Sequence, residues 1–236
     1  MVTKYSGGTP IRKDGKIYAI LTRVKHFFFR ILSLITGIIF YAIGIVITIK
    51  ANIGYAPWDV FHVGLANSTG LSIGTMSIIV GIIIGIVVVI QGEKLGLGTI
   101  LNMVFIGVFV DIIFSHIPLA KNFATGTIML IAGLFVVSLG SYFYIKAAFG
   151  AGPRDSLMVV LARKTKFPVG LCRFALEFLV LLAGWLLGGM VGFGTVLAVI
   201  AIGFCIQLTF KVLKFDVTAV KHETLFDTFT ALKTKR

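Results

Sequence analysis

Apolar residues fall in long blocks along this chain, without the period of two that marks a half-buried strand. Six blocks approach or exceed the roughly 20 residues that a helix needs to cross the ~30 Å hydrocarbon core of a bilayer. They run from His26 to Thr48, Ile73 to Ile90, Leu97 to Ile117, Thr127 to Phe149, Val169 to Leu187 and Phe193 to Leu213. Two shorter and less apolar segments interrupt the series, Pro57 to Asn67 and Pro153 to Arg163. Eleven helical residues span only about 16 Å, too little to cross. Pro57 and Pro153 suit a first helical turn, and Asp59 and Asp155, two residues on, can meet its free amides. Each segment is therefore either a re-entrant half-helix or an amphipathic helix lying at the membrane surface.

Composition agrees with the blocks and excludes other classes. Of 236 residues, 58% are hydrophobic and 13% charged, with a mean hydropathy of +1.03. Soluble domains carry about 25% charged residues, so a soluble enzyme, a disordered chain and a nucleic-acid-binding domain are all disfavoured. The net charge is nevertheless +13, and its placement carries information. With six crossings and the N-terminus inside, twenty of the 22 Lys and Arg fall on the inner side, leaving only Lys50 and Lys121 outside. That asymmetry places both termini in the cytoplasm, with the inner cations against anionic lipid headgroups. No cleavable signal peptide is expected in the polar, basic N-terminal stretch. The two cysteines, Cys172 and Cys205, sit inside apolar blocks and behave as small hydrophobes.

An offset of 96 residues lays the chain on itself without a gap. Gly54, Pro57 and Asp59 fall on Gly150, Pro153 and Asp155, while Gly37, Gly44 and Lys50 fall on Gly133, Gly140 and Lys146. Gly74 falls on Gly170, Gly96-Leu97-Gly98-Thr99 on Gly192-Phe193-Gly194-Thr195, and Gly107 on Gly203. Matched Gly, Pro, Asp and Lys in fixed register mark a duplication. An odd number of spans per half inverts the second copy, an architecture recurrent among secondary transporters. The expected fold is an all-α polytopic membrane bundle of six transmembrane helices in two inverted three-helix repeats, each with one short broken helix. Its parts are a basic cytoplasmic tail (1–26), repeat 1 (27–118), repeat 2 (119–213) and a cytoplasmic C-terminal tail (214–236).

Ionisable and polar groups at membrane depth are the candidates for function. The two broken segments supply Gly54, Pro57, Asp59, Gly150, Gly152, Pro153 and Asp155 as candidate solute-binding positions, with end-capping as the competing role for the aspartates. Glu177 lies mid-way along the fifth span, either paired with Arg173 one turn earlier or isolated and able to couple transport to protons. Asp111 and its repeat mate Gln207 put a hydrogen-bonding side chain at equal depth in both halves. Asn102, His62, Trp58 and Tyr55 are weaker candidates. No zinc-type cluster, phosphate loop or nucleophile–base set is visible, so neither a metal, a cofactor nor an enzymatic activity is expected.

The stretches GYAPWDVFHVGLANSTGLSIGTMSIIVG, GLGTILNM and GAGPRDSLMVVLARKT and the VKHETL tail resemble the bacterial YczE/YyaS/YitT-type membrane proteins, most closely the YczE branch. The resemblance spans nearly the whole chain beyond its first thirty residues and implies a multi-spanning protein of the bacterial plasma membrane. It implies no substrate. The expected function is that of a small secondary transporter with a site between the two Gly-Pro-x-Asp segments, whose half-helix N-termini favour a solute bearing an anionic group. A homodimer is compatible with this size. The competing expectation is a non-transporting accessory or regulatory membrane protein acting through its cytoplasmic face.

Overall fold

The computed structural model describes residues 13–233; the first twelve residues of the basic tail and the last three of the chain lie outside the described residues. Helix α1 covers Lys13–Lys50, so residues 13–26, expected as tail, extend the first helix. After it come α2 (Pro57–Thr69), α3 (Ile73–Ile90), α4 (Leu97–Phe114) and α5 (Phe123–Lys146). The second half continues with α6 (Pro153–Thr165), α7 (Val169–Leu186), α8 (Phe193–Val212) and a short α9 (Leu225–Lys233). Among the described residues there is no strand, and six helices are long and apolar enough to cross a membrane: the Val24–Lys50 part of α1, then α3, α4, α5, α7 and α8. Local chemistry sets the helix starts. Asn122 accepts a hydrogen bond from the Thr125 amide (2.9 Å) while its own amide donates to the Thr125 hydroxyl (3.2 Å), so α5 begins four residues before the expected Thr127.

Helices α1 and α5 form the central seam. A Cβ on Gly44 would lie 2.6 Å from the Val137 amide nitrogen, and one on Gly37 2.5 Å from that of Tyr144. Glycine thus permits backbone-to-backbone approach, the means by which helices associate in lipid, where no hydrophobic force drives them together. Contacts recur at the 96-residue spacing. The Gly98 amide donates to the Phe149 carbonyl and the Gly194 amide to the Ile53 carbonyl, both at 2.7 Å. Likewise α4 packs on α1 as α8 packs on α5, and α2 packs on α7 as α6 packs on α3. One contact is not repeated: α3 packs along α4, whereas α7 stands off α8.

The bundle has two distinct ends. At one, the start of the α1 span, the α3–α4 and α5–α6 connections and the C-terminal segment meet. There Arg30 pairs with Glu223 (2.6 Å), donates to the Ala147 carbonyl (2.9 Å) and lies over the Phe149 ring. The Glu223 amide donates to Ala148 (2.8 Å) and that of Leu225 to Leu95 (3.0 Å), so the C-terminal segment lies across this tail end. About 30 Å away along α1, Lys50 covers the Phe114 ring and its carbonyl accepts from the Ala120 amide. Arg30→Gln is expected to loosen the strap, by about 1 kcal/mol for a part-exposed ion pair. Proteinase K should then cut within residues 214–233 faster than in the unaltered protein; an equal rate would show that Arg30 does not hold it.

Candidate functional site

Proline shapes the two short helices alike. Pro57 opens α2 after Ala56, Pro153 opens α6 after Gly152, and both preceding residues are extended. Helix α2 runs from the bundle interior to the end opposite the tail, where Asn67 donates to the Gly188 carbonyl (3.1 Å). Helix α6 runs to the tail end, where Arg163 pairs with Glu93 (2.6 Å). Their N-termini meet inside, with the Arg154 guanidinium over the Trp58 ring at 4.5 Å. The segments are therefore re-entrant, not interfacial, and a helix N-terminus enters the interior from each side.

Between them lies a cavity of about 510 Å³. Its wall repeats at the 96-residue spacing: Tyr41 with Val137, Thr48 with Tyr144, Trp58 with Arg154, Asp59 with Asp155, His62 with Met158, and Gly81 with Glu177. Ile206, Phe210, Val217 and His222 extend the lining toward the tail end. Lipid cannot satisfy broken backbone at membrane depth, so irregular segments are stable only where protein or a polar cavity receives them. Both conditions hold here.

The expected site residues divide. Pro57, Asp59, Gly152, Pro153 and Asp155 line the cavity. Gly54 and Gly150 do not; with φ of +112° and +117°, they turn the chain behind it and pack on Gly192 and Gly96 respectively. Neither aspartate caps its helix by a hydrogen bond, and neither forms an ion pair among the described residues. Asp59 is only 6% exposed and lines the cavity, and its carboxylate has no direct partner among the described residues. Glu177 lines the cavity but is held by Arg173 at 2.9 Å, which realises the paired alternative. Asp111 lies outside the cavity. It accepts from the Ser72 hydroxyl (2.5 Å) and the Gly74 amide (2.8 Å), clasping the start of α3 to α4. Its repeat mate Gln207 is exposed and without a partner among the described residues, so the bonding expected of this pair exists in one half only.

Two groups weigh more than the sequence reading gave them. His62 is 3% exposed, lines the cavity, and its Nε2 has no hydrogen-bond partner among the described residues. An unpaired buried polar atom costs about 1–3 kcal/mol, which a bound group would recover. Arg154, one of the cations that the sequence assigns to the inner side, stands at the meeting point of the two half-helices.

A family model described as a family of unknown function (DUF6198) matches residues 28–211. The chain belongs to this family. The DUF6198 match takes in both half-helices and every cavity residue named above except Val217 and His222. Among curated proteins, the chain is 37% identical over 175 residues to the uncharacterized membrane protein YczE of Bacillus subtilis, covering 73% of this chain and 81% of that protein. It is 32% identical over 171 residues to an uncharacterized protein of Haemophilus influenzae (72% and 78% covered) and 26% identical over 167 residues to the uncharacterized protein YyaS of B. subtilis (69% and 83%). No solved structure matches the chain significantly. This DUF6198 chain is a multi-pass membrane protein of the YczE type.

Proposed function

We propose that the chain is a small secondary transporter or permease of the bacterial plasma membrane, built as two inverted repeats, with both termini in the cytoplasm. The reading rests on one observation: two re-entrant helices from opposite ends close on a cavity lined by Asp59, Asp155 and His62, none of them paired among the described residues. A bundle that only braced a partner would have no need of such a void, because helix packing in membranes depends on close contact. Arg154 apart, which lies inside the bundle, the cations that the sequence assigns to one side favour an orientation with the tail end inward.

The charges also narrow the solute. Outside the Arg173–Glu177 pair the wall carries Arg154 against Asp59 and Asp155. Two helix N-termini contribute about half a positive charge each, so the site is close to neutral. A polar solute without net charge, or a zwitterion, fits better than the anion expected from helix termini alone. With Glu177 held by Arg173, coupling to protons falls to Asp59. In proteoliposomes under an imposed proton gradient, uptake is expected to survive Glu177→Gln and to fail with Asp59→Asn; the reverse would return coupling to Glu177.

Water access tests the reading without knowledge of the solute. In a Cys172→Ala/Cys205→Ala background, His62→Cys should react with a membrane-impermeant thiol reagent added at the tail side. No reaction from either side would show a sealed void and sink the transport reading.

A further inference from the structure

The two halves differ in one respect, and the difference falls on matched residues. Gly74 of α3 and Gly107 of α4 pack so closely that a Cβ on either would collide with the other's carbonyl oxygen. Asp111 fastens the same contact through Ser72 and the Gly74 amide. Their mates, 96 residues on, are Gly170 of α7, Gly203 of α8 and Gln207. Among the described residues, a Cβ on Gly170 or on Gly203 would meet nothing within 4 Å, and Gln207 is exposed and unpartnered. Thus a glycine contact suited to close packing is shut on α3–α4 and vacant on α7–α8. The shut contact lies at the end opposite the tail, where Ser72 and Asp111 sit. The vacant one flanks the cavity wall formed by Arg173, Leu176 and Glu177 of α7 and Val199, Ile202 and Ile206 of α8, and the lining extends toward the tail end.

From this we infer that the structure is one of two interchangeable states, and that the α7–α8 and α3–α4 contacts are its alternating gates. In the second state Gly170 packs on Gly203, and the Gln207 side-chain oxygen accepts from the Gly170 amide as Asp111 accepts from Gly74. Asp111 then releases Ser72 and Gly74, α3 parts from α4, and the cavity opens away from the tail. A sequence duplicated with its glycine contacts intact encodes both packings with the same residues, so the two arrangements differ little in free energy. The inference rests on the transport reading and deepens it by assigning Asp111, Gln207 and the four glycines to gating.

Spin labels at Val169→Cys and Val212→Cys, added to the Cys172→Ala/Cys205→Ala chain in liposomes, report the α7–α8 separation. Both sites are exposed, at 53% and 69%. The expected result is two distances, the shorter being the minor population. Gly74→Ala, which wedges α3 from α4, and Asp111→Ala, which only unfastens them, should each raise the short population severalfold. Gly170→Leu, which fills the vacant contact, should abolish it. If Gly74→Ala fails to fold, the other two variants decide the matter. A single distance indifferent to the variants that fold overturns the inference. Because no solute is involved, shifting distances without uptake would count against transport alone, and uptake with a fixed distance against gating alone.

Discussion

Gly44→Leu is expected to leave little or no monodisperse protein after detergent extraction, whereas Gly170→Leu should melt within a few degrees of the unaltered chain. Both changes add the same side chain to a glycine in a transmembrane helix. At Gly44 the new Cβ would lie 2.6 Å from the Val137 amide nitrogen and 2.8 Å from the Gly133 carbonyl oxygen. Those are backbone atoms, which cannot rotate away. Overpacking a core costs typically about 1–3 kcal/mol and sometimes more, and here relief requires moving a whole helix. Gly37 meets Gly140 in the same way further along the seam, so separating α1 from α5 at one glycine loosens the other. At Gly170 nothing among the described residues lies within 4 Å of the added Cβ, and the leucine joins a largely lipid-facing helix. Size-exclusion profiles and thermal melts compare the two directly; equal melting temperatures would refute the close-packed seam.

The second large effect concerns Arg154. Arg154→Ala should reduce solute uptake or binding at least about tenfold, which corresponds to ~1.4 kcal/mol. Its guanidinium is the one cavity cation not engaged by a carboxylate at ion-pair distance among the described residues, and its removal leaves Asp59 and Asp155 without a balancing charge. Stranding a buried charge costs about 3–5 kcal/mol where water cannot enter; in a wet cavity part of that is screened. Arg154→Lys keeps the charge but loses the planar group over Trp58, a contact worth about 0.5–2 kcal/mol, so an intermediate loss is expected. Uptake by Arg154→Ala equal to that of the unaltered chain would remove the residue from the site.

Much of this architecture is legible in the sequence, because membrane spans leave linear signals. The α3, α4, α7 and α8 spans were read to within a few residues, since hydrocarbon thickness sets their length. The short helices were legible from Pro57 and Pro153, which open them. What escaped depends on partners distant in sequence. Asp111 reads as a carboxyl at depth, but its role is set by Ser72 and Gly74, 39 and 37 residues away. Gln207 reads as its equivalent and yet has no partner among the described residues, because α7 stands apart from α8. Gly54 and Asp59 lie in one motif, but the positive φ of Gly54 turns it behind the wall that Asp59 lines. His62 reads only as a weaker candidate, since a buried histidine without a partner looks the same in sequence as one with a partner.

The ion pair between Arg30 and Glu223 joins residues 193 positions apart. At a synthesis rate of 5–20 residues per second, Glu223 is made roughly 10–40 s after Arg30. For that interval the first span sits in the bilayer with its guanidinium over no finished surface, since Phe149, Ala147 and the strap all follow it. Arg30 therefore acquires its partners in the order in which the bundle is completed, first the α5–α6 turn and last the strap. A chain interrupted before residue 223 keeps the charge and lacks the counter-charge, which distinguishes an unfinished molecule from a finished one at the tail end of the bundle.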